Sequence, residues 1–114
     1  RFEQIPVLIF DEVDTGIGGK VADQVGFYLK SLAKNQQILA ITHLPQVAVY
    51  GDQQVRVEKK IREKDTISEI RSLNEKERQE EIARMLGGGE ITDLTLCHAK
   101  ELIFLAKNRV ILAQ

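Results

Sequence analysis

The chain has 114 residues, the size of one small domain, and its 43% hydrophobic and 29% charged residues are the balance of a globular chain rather than a disordered one. Sixteen basic side chains against seventeen acidic ones leave a net charge of −1, which argues against a dedicated nucleic-acid-binding domain while leaving room for a local basic patch. The single cysteine, Cys97, excludes an internal disulfide and leaves a cysteine-based zinc site short of ligands, so a reducing cytoplasm is the expected compartment.

The first element is the apolar run Ile5-Pro6-Val7-Leu8-Ile9-Phe10. It is far too short to span a membrane, and no charged-then-apolar signal pattern precedes it. The chain begins at Arg1 rather than Met and enters this run almost at once, as expected for a piece of a longer protein. The run does not alternate polar with apolar residues, which predicts a strand of a parallel sheet buried on both faces. Pro6 is compatible only with the start of such a strand. Residues 11–19 read as a turn, and residues 20–34 as a helix on the spacing of Val21, Val25, Tyr28, Leu29 and Leu32. Gln37-Ile38-Leu39-Ala40-Ile41-Thr42 predicts a second buried strand. Strand, helix and strand make one β-α-β unit, hence a parallel pair with a right-handed crossover.

After His43, residues 44–50 read as a short helix that Gly51 ends. Residues 54–60 and 66–73 read as polar-faced strands joined by the charged turn Arg62-Glu63-Lys64-Asp65, which predicts an antiparallel hairpin. Residues 75–86 form a predicted helix with Ile82, Ala83 and Leu86 inward and Gly87-Gly88-Gly89 as its stop. Thr92 is placed to cap a last helix running to about residue 108, with Leu96, Ala99, Ile103 and Ala106 in one stripe. No repeat, low-complexity tract or linker divides the chain, so residues 1–114 read as one α/β unit: a parallel β-α-β core, an antiparallel hairpin and two C-terminal helices.

Gly16-Ile17-Gly18-Gly19-Lys20 is not a phosphate cradle. A P-loop needs its first glycine where Asp14 stands and a hydroxyl residue where Val21 stands. A dinucleotide fingerprint counted from Gly16 needs its third glycine at the position of Val21. A turn that uses the positive φ open to glycine is the remaining reading.

Val7-Leu8-Ile9-Phe10-Asp11-Glu12 is four apolar residues followed by two acids, the Walker B pattern of nucleotide hydrolases. A buried strand holds its terminal carboxylate at the carboxyl edge of the sheet, where α/β proteins bind ligands. Magnesium takes one or two carboxylates together with waters and phosphate oxygens. Asp11 is therefore the candidate metal and cofactor-binding residue, and Glu12 the candidate for orienting and polarising an attacking water. A solvated strand end or a helix N-cap accounts for the same residues without chemistry. The second strand ends Ala40-Ile41-Thr42-His43, and parallel neighbours place their carboxyl ends on one edge, so His43 is expected near Asp11 and Glu12. A histidine there can hydrogen-bond a terminal phosphate; capping the next short helix is the plainer role. Without further Cys or His the trio is a weak zinc site.

Taken together, these residues resemble the C-terminal lobe of an ABC-type ATPase head, with Val7 to Glu12 as Walker B, Val13-Asp14-Thr15-Gly16 as the D-loop and His43 as the switch histidine. Within that class, Phe-Asp-Glu-Val-Asp-Thr-Gly-Ile-Gly-Gly at 10–19 and Thr42-His43-Leu44-Pro45-Gln46-Val47-Ala48 are similar to the SMC-like ATPases of bacterial DNA repair. So are Ser72-Leu73-Asn74, Ala83-Arg84-Met85-Leu86-Gly87-Gly88 and Ala99-Lys100-Glu101-Leu102. The resemblance implies a partial P-loop NTPase fold and a role in double-strand-break repair. It implies ATP and Mg2+ as cofactors of the complete head, catalytic roles for Glu12 and His43, and nucleotide contacts for Asp11, Asp14, Thr15 and Gly16, Asp14 and its turn lying at a head–head interface. The implied partners are the N-terminal part of the same head, a second head copy and, through the full-length protein, DNA, with no membrane and a cytoplasmic, nucleoid-associated location. The Walker A lysine loop, the Q-loop glutamine and the Ser-Gly-Gly signature do not occur in these residues; the resemblance puts them upstream of Walker B, with a long coiled coil separating the first part of the head from the second. The chain is thus expected to hold half a site and not to hydrolyse ATP alone.

Two readings of other classes stand beside this one. A non-catalytic α/β interaction module would use the acids as caps. A phosphohydrolase with Asp11 as nucleophile would need a second acid where Val13 stands. Lys59, Lys60, Arg62 and Lys64 cluster at the hairpin, but Glu58, Glu63 and Asp65 dilute them, so a solvated face is favoured there over DNA binding.

Overall fold

A computed structural model describes residues 7–11 and 16–113. The elements run β1 (Val7–Asp11), α1 (Gly19–Leu32), β2 (Gln37–Ile41), α2 (Pro45–Ala48), β3 (Val55–Arg62), β4 (Asp65–Ser72), α3 (Glu75–Leu86) and α4 (Asp93–Leu112). β1 and β2 pair in parallel, Val7 against Gln37 through Asp11 against Ile41. β3 and β4 form a separate antiparallel hairpin, Val55 against Ser72 through Arg62 against Asp65, which leaves only Glu63 and Lys64 in the turn.

The helix ends follow local chemistry. Asn74 and Glu77 cap α3 reciprocally, Asn74 Oδ1 accepting from the Glu77 amide at 2.8 Å and Glu77 Oε1 from the Asn74 amide at 3.1 Å. Thr92 caps α4 as its sequence position predicts, paired with Thr95 in the same way. The helix continues past the expected stop to Leu112, because nothing from Asn108 onward breaks it. Ahead of α1, Gly16 adopts φ +79, the left-handed turn conformation that favours glycine.

Two apolar clusters hold these elements. Ala22, Leu29 and Val47 pack with Phe10, Ile17, Val25, Leu32, Ile38 and Leu44, which joins one face of the sheet to α1 and α2. Val49, Tyr50, Ile82, Ala83, Ala99, Ile103 and Ala106 form the other, between the end of α2, α3 and α4. The stripe expected on α4 is the buried one. The stripe on α1 is rotated from expectation: Ala22, Gly26 and Leu29 face inward, while Val21 and Tyr28 are exposed. Small residues win this face because α2 crosses it closely. A Cβ on Gly26 would stand 2.5 Å from Cδ2 of Tyr50 and 3.1 Å from both the Gln46 carbonyl oxygen and the Val47 Cα.

The expectation that both strands are buried on both faces is corrected. Phe10 and Ile38 are covered by α1, but on the opposite face Val7, Ile9, Leu39 and Ile41 are 55, 64, 50 and 50% exposed. Two strands with one layer of helix behind them have no second layer among the described residues. The hairpin departs from expectation as well. Its charged face turns toward α3, with Arg56 Nη1 3.1 Å from Glu81 and Arg71 Nη1 2.7 Å from Glu77. Val55, Val57, Ile61 and Ile70 lie exposed, so the strands are not polar-faced on both sides.

Gly26→Ala is expected to cost about 1–3 kcal/mol of stability, since two of the three clashing neighbours are backbone atoms that cannot turn aside. Urea unfolding of the variant beside the parent chain measures this.

Candidate functional site

Asp11 ends β1 directly beside Ile41, the last residue of β2. Its side chain is exposed, on the sheet face opposite Phe10. His43 is exposed two residues beyond Ile41, in the link to α2. The parallel register thus brings Asp11 and His43 to one edge of the sheet, as the strand directions require. Gly16 is exposed, in the turn between β1 and α1. Glu12, Asp14 and Thr15 lie outside the described residues. Among the described residues no cluster of three or more His, Cys, Asp or Glu side chains is arranged to hold a metal. One exposed carboxylate at a strand end still fits magnesium, which fills most of its shell with water and phosphate oxygens.

The segment after His43 is anchored at both ends, at the rear by a residue that sequence reading passed over. At the front, the Leu44 amide donates to Thr42 Oγ1 at 3.0 Å, and Pro45 opens α2 with its fixed φ. Behind, Arg78 of α3 reaches across and donates from Nη2 to the carbonyls of Val49 at 2.9 Å and Ala48 at 3.3 Å. Arg78 is 7% exposed, and this burial pulls its pKa below the usual guanidinium range, with Glu75 and Asp52 opposing. Arg78 precedes Ile82 by one helical turn, so a basic residue on the inward stripe was the signal available.

Tyr50, 6% exposed, closes the segment against α1 and α4. Its hydroxyl donates to Asp23 Oδ1 at 2.6 Å and accepts from Arg109 Nη1 at 3.2 Å, and Arg109 also pairs with the Asp23 carboxylate. The Phe27 ring meets Tyr50 edge-on at 6.1 Å, and the Arg109 guanidinium lies 4.2 Å over Phe27. Burial first, then the Asp23 hydrogen bond, raises the Tyr50 pKa, so the phenol stays a proton donor. Gln46 reaches toward the glycine turn, its Nε2 standing 3.5 Å from where a Cβ on Gly19 would be. At the hairpin, Lys60 Nζ meets Glu69 at 2.9 Å, and this hydrogen bond raises its pKa. Lys60 of the basic cluster is thus neutralised by a carboxylate of the neighbouring strand.

No protein-family model matches the chain. A solved structure, from work on the structural biochemistry of ATP-driven dimerization and DNA-stimulated activation of SMC ATPases, superposes with a TM-score of 0.55 at 22% identity, covering 63% of this chain and 42% of that one. The fold is therefore a partial P-loop NTPase-like fold, shared with that structure over the matched residues. The DNA repair protein RecN of Rickettsia felis is 51% identical over 100 residues, 88% of this chain, and that of Haemophilus influenzae 48% identical over 99 residues, 87% of it. By sequence the chain corresponds to one segment of RecN-type DNA repair proteins. It spans 18% of the length of those relatives.

Arg78→Met keeps the apolar stem and removes the donors to two carbonyls. A loss of about 1.5–3 kcal/mol in chemical denaturation is expected, the range for hydrogen bonds involving a charged group.

Proposed function

We propose that residues 1–114 are the C-terminal lobe of the ATPase head of a RecN-like double-strand-break repair protein. What carries the reading is the parallel register of β1 and β2, which places Asp11 and His43 at one sheet edge in a chain similar to RecN over most of its length. Asp11 is the residue to hold Mg2+, which neutralises phosphate charge when bound. Glu12 orients the attacking water and takes its proton. His43 hydrogen-bonds the γ-phosphate, a contact that strengthens as charge develops there. Asp14, Thr15 and Gly16 form the D-loop at the interface with a second head copy. The Walker A loop, Q-loop and signature are supplied from upstream of Walker B, and the bare face of Val7, Ile9, Leu39 and Ile41 is a surface for the N-terminal part of the same head to cover. DNA is engaged through the complete protein, in the bacterial cytoplasm at the nucleoid; among the described residues no helix is long and apolar enough to cross a membrane.

A non-catalytic interaction module is the second reading, favoured by the exposed apolar faces of the sheet and the hairpin. Kinetics on the complete protein separate the two. Glu12→Gln is expected to lower single-turnover ATP hydrolysis by about 10²–10⁴-fold while ATP still binds. Hydrolysis near the parent rate removes the catalytic assignment. His43→Ala is expected to lower the rate more than the affinity, and Asp11→Asn to raise the magnesium requirement. The 114-residue chain alone is expected to show neither hydrolysis nor micromolar MgATP binding in calorimetry, because its carboxylates repel triphosphate.

A further inference from the structure

The aromatic and charged knot around Tyr50 joins three parts of the chain that the candidate site needs in fixed relation. Tyr50 follows α2, the single helical turn that carries on from His43. Asp23 is in the first turns of α1, the helix that begins after the glycine turn. Arg109 is in the last turns of α4. The three groups close a triangle: the phenol bonds Asp23 at 2.6 Å and Arg109 at 3.2 Å, and Arg109 pairs with Asp23, so the phenol ties the His43 side of the chain to α1 and α4 at once. Its ring lies where a side chain at Gly26 would otherwise be, so the contact between α1 and α2 is built around it. A helix of four residues has too few hydrogen bonds to set its own position. Beyond the Leu44–Thr42 bond at its front, the His43 segment is therefore placed by what grips its far end.

We propose that Tyr50 is a positioning residue of the nucleotide site: its hydroxyl, held between Asp23 and Arg109, fixes the segment bearing His43 against the helix that follows the glycine turn. This rests on the assignment of that edge as an ATP site. Gln46 fills the space beside Gly19 that a side chain there would enter, closer to the turn itself. A catalytic hydrogen bond to a phosphate oxygen depends on placement to fractions of an ångström, so loosening this knot acts on turnover before it acts on binding.

The test is Tyr50→Phe in the complete protein, which keeps the ring and its packing and removes the hydroxyl alone. The expected result is a fall in kcat for ATP of about tenfold or more, with KM within about threefold of the parent and an unchanged folded fraction. Arg109→Gln, which leaves the Tyr50–Asp23 bond in place, is expected to give a smaller fall of the same kind. An unchanged kcat in Tyr50→Phe overturns the proposal, as does a fall that only tracks the fraction of folded protein in both variants. Glu12→Gln runs beside them as the control for the site itself. If that variant hydrolyses ATP like the parent, the ATP-site assignment has failed; if it is inactive and Tyr50→Phe is not impaired, only the positioning role has.

Discussion

A helix of one turn cannot hold itself in place, yet α2 is the joint at which both apolar clusters meet. Val47 belongs to the cluster under the sheet, and Val49 and Tyr50 to the cluster between α3 and α4. Its position is settled from outside: by Gly26, whose missing side chain admits Tyr50, by Arg78 on its terminal carbonyls, and by the Asp23–Tyr50–Arg109 knot. The β-α-β core and the C-terminal helix pair are one body largely because this turn is clamped between them. His43 inherits its placement from the same clamp.

Local signals carried most of the architecture. The branched runs at Val7–Asp11 and Gln37–Ile41 with a helix between them allow little besides a parallel pair, and that pairing alone puts Asp11 and His43 on a common edge. Thr92 announces α4, and its Ala99, Ile103, Ala106 stripe is buried as spacing demands. What stayed illegible depends on neighbours distant in sequence. Val21 and Tyr28 match helical spacing as well as Ala22 and Gly26 do; only the crossing of α2 decides which face turns inward. Arg78, Asp23 and Arg109 look like ordinary surface charges until α3 and α4 bring them to Val49 and Tyr50. Burial of a strand on both faces follows from an apolar run without alternation, and such a run describes what a strand can pack against, not whether a second layer follows within the described residues.

The hairpin inverts the usual arrangement of a half-exposed sheet. Arg56, Glu58 and Arg71 form ion pairs with one another and with Glu77 and Glu81 of α3, while Val57, Ile61 and Ile70 face outward. Partly exposed ion pairs of this kind contribute little each, so the hairpin is the element least tightly bound to the rest of the fold. Together with the bare face of β1 and β2 it gives the chain two apolar surfaces on separate sheets, more than an isolated globular unit normally leaves to water.

The bond between Asp23 and Arg109 spans 86 residues. A ribosome delivers α1 first and the far end of α4 last, so Asp23 and Tyr50 must wait through the synthesis of the hairpin and both later helices before their cation arrives. Until then Tyr50 and Asp23 have only each other. The grip of α4 on Tyr50 is thus among the last contacts to form as the polypeptide emerges, and a chain stalled beyond α3 would lack it.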